Sequence, residues 1–502
     1  MKLFPAALVA ATALGLTSTA ALAGKANDTL TVVWESEQTT LDVYYFTDHT
    51  GLTLIQNVWD GLIHRDPDTG AYKPNLATKW EWESPTALVM DLRQGVRFHD
   101  GEEFDADDVV YTLNYVTNPA NKTLLLQMVS WIEGVDKLDK FKVRIRLKKP
   151  FPPALEYLSL GIPIYPNEYY AKVGTAGMGR NPIGTGPYKV SSFSPGREYV
   201  MERNDAYFEG GPKEKPKIKK VVVRTQKDLN LMMGELMTKR ADFLWRLAPD
   251  QVDQLEKVPG TRILRSPTLR IAFLVFNTLD PNSPFANEKV RQAFAHAINR
   301  ESIAKNLVRG SSQPLATICP PVQIACPKTA VSFNYDPAKA RKLLAEAGFP
   351  NGFETSIGAT VDRYITEAVI GDLQQAGVKT NLNFNVWSAF RDKWVKREMP
   401  VFHSVTGFWG IGDASIAFGT YFGEMAHDLS RAPDVTEAIR KADTVQSVEE
   451  RTAFYKIAQD KILERVYWLP LVSISVNYAF SSDLNFEPMP DEINRFYRAS
   501  WK

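Results

Sequence analysis

Cysteine is almost missing from this chain of 502 residues: there are two, Cys319 and Cys326. Two thiols fall short of the four ligands of a structural zinc, and no histidine lies near them. The six histidines, His49, His64, His99, His296, His403 and His427, include no HExxH pattern and no i,i+4 pair, so no spacing signals a metal. An excess of charge is missing too. There are 59 Lys and Arg against 58 Asp and Glu, and without Lys2 the chain is neutral. That balance gives no electrostatic basis for a nucleic-acid or anionic-membrane partner. Motifs of covalent chemistry are lacking: there is no G-x-S-x-G elbow, no P-loop and no dinucleotide fingerprint. The stretch Gly174–Gly179 is rich in glycine but has the wrong spacing, and reads as a loop. Internal repeats and low-complexity tracts are also absent. Only Leu3–Leu16 forms a long apolar run, and it is shorter than the ~20 residues of a bilayer span.

What is there begins with a leader. A short basic start, the apolar run and Ala21-Leu22-Ala23 make the three-part layout of a secretory signal, with cleavage expected after Ala23. No cysteine follows the cut, which disfavours a lipid anchor. The mature chain is then expected in the periplasm. In that oxidising compartment Cys319 and Cys326, seven positions apart in a Pro-rich segment, are expected to form a local disulfide.

The body of the chain reads as mixed α and β. Leu30–Trp34 is an opening strand, followed by a helix over Gly51–Trp59. Ala87–Leu92 and Lys142–Leu147 alternate as half-buried strands. The acidic cluster Asp105, Asp107 and Asp108 could be taken for paired catalytic carboxylates. Its position favours a helix start, with Asp105 as cap and Asp108 in the first turn. The basic segment Gly211–Lys220 reads as a surface connection before Val221–Val223. Val290, Ala293, Phe294, Ala297 and Ile298 share one helix face. Asp336-Pro337 opens another helix, which Gly348 ends. Phe353–Ile357, Tyr364–Ala376 and a strand from Val378 to Val386 make a βαβ unit, whose sheet would bind ligands at the carboxyl ends of its strands.

Several blocks resemble the peptide/opine/nickel type of periplasmic solute-binding protein, extracellular solute-binding family 5. They are Trp59–Ile63, Pro67–Gly70 and Pro74–Ala77; Leu92–Gly101 running into Ala106–Val110; Gly184–Tyr188 and Arg203–Phe208; Phe276-Asn277, Val290–Ala293 and Asp336-Pro337. Their order matches and they span nearly the whole mature chain. The resemblance implies an α/β, two-lobed periplasmic-binding-protein fold with an inserted small domain. It places lobe I at 24–65, 184–275 and 480–502, the insertion at 66–183 and lobe II at 276–479. It also implies a monomer that binds a peptide or small solute, without cofactor or catalytic residue, and passes it to the permease subunits of an ABC importer. Opposing expectations are a secreted hydrolase, which needs facing carboxylates, and a chaperone, which needs an open apolar groove.

The resemblance sets the ligand contacts after the first strand and in lobe II. The first group is Glu35, Glu37 and Gln38. The second is Trp387, Arg391 and the run Gly407-Phe408-Trp409-Gly410-Ile411-Gly412-Asp413. Glycines among aromatics suit a wall where backbone and ring faces meet a ligand; one of Phe408 and Trp409 is expected to be core. Peptide binders of this type carry an Asp three residues after the motif's aromatic. Here Gly412 follows Trp409 at that spacing and Ile411 follows Phe408, so Asp413 is out of register. An opine, an amino-acid conjugate, a sugar or a metal chelate therefore stands beside an ordinary peptide.

Overall fold

Two long strands, Thr261–Phe276 and Trp468–Ser481, hold the molecule together. In this computed structural model, which describes residues 24–46, 49–124, 126–425 and 427–502, they pair antiparallel along most of their length. The expected leader, residues 1–23, lies outside the described residues. Both strands alternate little because both faces are covered, and Trp468, Leu471, Phe273 and Phe480 are all buried. On one flank lie Phe243–Trp245, Thr29–Trp34, Lys220–Thr225, Glu198–Arg203 and Tyr188–Ser194. On the other lie Val401–Thr406, Phe353–Ala359 and Val378–Phe384. The ten-stranded sheet is therefore two half-sheets sharing the crossing pair. The pairing breaks register between Pro267 and Ile271, midway along, where Thr268 Oγ1 donates to the Ile474 carbonyl at 2.6 Å. A bulge at this point bends and twists the strand locally.

A separate four-stranded antiparallel sheet runs Ala77–Ser84, Ala87–Leu92, Lys142–Leu147, Ile132–Asp139. Helix Ala106–Thr117 covers it. Asp105 caps that helix and Asp108 reaches back to the Asp105 N–H at 2.9 Å, so the acidic cluster makes a capping box. Asp108 also accepts from Asn167 N, the first residue of helix Asn167–Met178. That helix takes in most of Gly174–Gly179, which the sequence suggested as loop. Gly174, at φ 58°, ψ −166°, kinks it, a conformation glycine adopts without steric cost.

The helices Glu288–Ala297, Pro337–Glu346 and Arg363–Gln375 fall where periodicity and caps place them. Phe353–Ala359 pairs parallel with Val378–Phe384 around the last of these. Val386 does not continue that strand. It precedes helix Trp387–Val395 and is exposed. The Gly211–Lys220 segment is not wholly surface either: Lys213 is buried and paired with buried Asp60 at 2.9 Å. Among the described residues no helix is long and apolar enough to cross a membrane.

Candidate ligand-binding cleft

The parallel strands Thr29–Trp34 and Phe243–Trp245 end side by side, and a cavity of about 260 Å³ opens where they stop. Trp34, Glu35, Ser36, Thr50, Trp245 and Arg246 line it. The Trp34 and Trp245 ring centres are 5.8 Å apart, and the Arg246 guanidinium lies 4.2 Å from the Trp245 ring centre. Burial raises the Glu35 carboxyl above its usual range, against the pull of Arg246.

From Arg246 a chain of ions leads across the molecule. Its Nε is 3.0 Å from Oε2 of Glu492, a residue 246 positions away and 1% exposed. The other Glu492 oxygen is 3.7 Å from Arg270 Nε, and Arg270 Nη2 is 3.8 Å from Asp362 Oδ2. Arg246 follows a strand of one half-sheet, Asp362 follows a strand of the other, and Arg270 sits in the bulge between them. Burial alone would raise the Glu492 carboxyl, but Arg246 and Arg270 outweigh it and hold it below its usual range. The carboxylates Glu35, Glu492 and Asp362 outnumber the guanidiniums by one. Asp362 Oδ2 and Trp245 Nε1 are buried without a hydrogen-bond partner among the described residues.

The expected aromatic-glycine run borders this chain. Phe408, Trp409 and Gly410 have φ of 50°, 51° and 74° in succession. Left-handed backbone at two bulky residues costs of order 1–3 kcal/mol each and tends to gather at functional sites. A methyl at Gly407 would lie 3.0 Å from Arg270 Cγ, and one at Gly410 would lie 3.4 Å from Ile493 and 3.5 Å from Asp491. The run thus wedges between Arg270 and the segment holding Glu492. Trp409 is half-buried there, while Phe408 is core at 1% exposure.

The other expected contacts lie elsewhere or are committed. Asp413 is buried in a two-pronged pair with Arg451, at 2.8 and 2.6 Å, and its Oδ1 also accepts from Ser415 N. Ile411 gives its carbonyl to Gln323 Nε2 at 2.6 Å. Gly412 N donates to Glu156 Oε1. Gln38 is buried and bonds Thr50 Oγ1. Glu37 is exposed, lies outside the cavity lining and pairs with Lys227 at 2.5 Å. Trp387 is 56% exposed and stacks on Phe390. Arg391 is exposed, and its charge is felt at His427. Cys319 and Cys326 are joined by a disulfide. Among the described residues no group of three or more His, Cys, Asp and Glu is placed to hold a metal ion.

Arg246, Arg270, Asp362 and Glu492 were not found from the sequence. Arg246 and Asp362 follow strands, Arg270 sits in a mid-strand bulge and Glu492 lies in the segment before the C-terminal turn, so only the closure of the sheet brings them together.

Residues 71–426 match the model of the bacterial extracellular solute-binding proteins, family 5. The chain belongs to this family. The solute-binding protein is 29% identical over 503 residues to the glutathione-binding protein GsiB of Salmonella paratyphi A, covering 95% of this chain and 96% of that relative. Its fold matches the Helicobacter pylori periplasmic binding protein DppA in complex with peptide STSA, with TM-score 0.83, 24% identity and coverage of 96% and 98%. NikZ from Campylobacter jejuni, in complex with Ni(L-His), matches with TM-score 0.81, 24% identity and coverage of 94% and 99%. The chain therefore has the two-lobed periplasmic-binding-protein fold with an additional small domain.

Proposed function

We propose that this solute-binding protein is the periplasmic receptor of an ABC importer for a peptide-like solute carrying both an ammonium group and a carboxylate. The ion chain Arg246–Glu492–Arg270–Asp362 carries the reading. It starts at Arg246, which lines the tryptophan-walled cavity, and runs through Glu492 to Arg270 and Asp362 of the other half-sheet. A solute carboxylate drawing on Arg246 and Arg270, with its ammonium at Asp362 and Glu35, touches both lobes fully only when they approach. Such a solute favours the closed form by its differential affinity.

The relatives that bind glutathione support a small amino-acid conjugate, since glutathione carries both groups. The commitment of Asp413 to Arg451 favours a conjugate or an opine over an ordinary peptide, because that carboxylate is already neutralised. The lobes bend about the Pro267–Ile271 irregularity, and the monomer hands the unaltered solute to the permease. The protein is exported, loses its leader after Ala23, and performs no chemistry on its guest.

Native mass spectrometry of freshly purified protein, followed by calorimetry with glutathione, an alanine tripeptide and an opine, tests this. One solute is expected to bind one-to-one and leave with its mass unchanged. Arg246→Ala is expected to weaken it at least tenfold, about 1.4 kcal/mol, and also to lower Tm because buried Glu492 is left with Arg270 alone, so affinity is measured where the variant remains folded. No saturable binding, or release of an altered molecule, would overturn the proposal.

A further inference from the structure

A larger cavity, about 500 Å³, lies between the small domain and lobe II and shares no lining residue with the tryptophan-walled cleft. Glu156, which accepts from Gly412 N, directly precedes the lining residue Tyr157. The size suits a small organic ligand.

Its walls differ in kind. On the small-domain side Trp131, 5% exposed, stacks on Phe151 with ring centres 5.1 Å apart and planes at 18°. Facing them is helix Ser415–Phe422, in which Gly419 lines the cavity. A methyl built on Gly419 meets nothing within 4 Å, so the space above it is open. A flat ring fits between such walls, gaining both apolar burial and ring–ring contact.

The charges around the cavity favour an anion. Lys148 and Lys149 line the small-domain side, and Lys148 Nζ is held by the Ser130 carbonyl at 2.8 Å. Lys149 is exposed and makes no hydrogen bond to a described residue, although Asp443 feels its charge. Arg391 adds a third cation within electrostatic reach of His427, whose own proton affinity is lowered chiefly by burial. The opposing carboxylate is Asp443, already bonded by the Tyr455 hydroxyl at 2.7 Å, and burial raises its pKa. Two lysines of the lining, with Arg391 nearby, therefore stand against Asp443, whose other charged neighbours Arg451 and Asp413 are paired with each other.

We propose that this cavity is a second ligand site, taking an aromatic carboxylate with its ring between Trp131 and Gly419 and its carboxylate at Lys149. A ligand seated there bridges the small domain and lobe II.

Indole-3-acetate is the probe, with indole-3-acetamide as its uncharged counterpart, each titrated calorimetrically into the full-length mature protein. The acid is expected to bind one-to-one, at least tenfold more tightly than the amide. Lys149→Ala, at an exposed position, should weaken the acid about tenfold. Gly419→Leu should abolish binding while leaving the cleft solute's affinity unchanged, and Arg246→Ala should leave the acid's affinity unchanged. No saturable binding of the acid, equal binding of acid and amide, or binding lost in Arg246→Ala yet intact in both Gly419→Leu and Lys149→Ala would overturn the site. Because the readouts use different ligands, this site can fail while the cleft proposal stands, and the reverse.

Discussion

Asp60 is fully buried and takes Lys213 Nζ, Thr185 Oγ1, Asn75 Nδ2 and the Tyr207 hydroxyl at 2.9, 3.0, 3.3 and 3.3 Å. Three of those partners belong to separate blocks that carry the family resemblance, so blocks distant in sequence meet at one carboxylate. Burial lowers the Lys213 pKa, with Asp60 opposing. Removing one partner of a buried pair leaves an uncompensated charge. Asp60→Ala is therefore expected to cost about 3–5 kcal/mol in chemical denaturation. Asp60→Ala with Lys213→Met should recover part of the loss; a double variant as unstable as the single one would contradict the account. Gly184 and Gly186 belong to the same junction: a methyl on either would lie within 2.4 Å of Val58 backbone atoms. His99 closes it, with Nδ1 accepting from Gly184 N at 3.2 Å and Nε2 donating to the Gly186 carbonyl at 3.0 Å. Burial lowers its pKa to about 4. The unfolded chain, with a histidine near 6.5, then binds more protons than the folded one between these values. The His99 contribution is complete above about pH 6.5 and is lost as pH falls toward 4. Between pH 7 and pH 5, wild type should lose up to about 2 kcal/mol more stability than His99→Gln. Equal losses would show that His99 is not held neutral by the fold.

At the scale of elements, the disulfide loop acts as a brace. Ile324 N donates to the Gly412 carbonyl at 2.7 Å, Ala414 N donates to the Ile324 carbonyl at 2.9 Å, and Gln323 holds Ile411. The Cys319–Cys326 loop thereby fixes the far end of the aromatic-glycine run. Replacing both cysteines by serine should cost about 2 kcal/mol, as expected for so short a loop. It should also speed amide exchange at 411–414 more than elsewhere in lobe II, and uniform exchange would refute the brace. The helices and strands with strict periodicity and caps were legible in the sequence, because local chemistry decides them: the Asp105 and Asp336 caps and the Lys142–Leu147 alternation are examples. Trp387–Val395 was missed because Val386 extends an apolar pattern that the helix interrupts. The site was legible only in part. Glycine spacing drew notice to Trp409 and Gly410, but the ion chain depends on pairings hundreds of residues apart. Asp413 looked available because nothing in its neighbourhood names Arg451, 38 residues later on another helix.

Over the whole molecule, two half-sheets share one crossing pair of strands, interrupted where Arg270 leaves the ladder. Thr268 and Arg270 lie within the same interruption, so on the proposed reading the hinge also supplies a binding group. The Glu156–Gly412 contact and the Arg246–Asp362 chain both span regions that must separate if the lobes open. Hinge closure repays a ligand only through contacts made in the closed state. The most direct measurement is small-angle scattering of the mature protein with and without a saturating solute identified by native mass spectrometry. A smaller radius of gyration in the bound state, absent in Arg246→Ala at the same solute concentration, is the predicted result. Superimposable profiles for free and fully bound wild-type protein would contradict the closure of the two lobes around a guest.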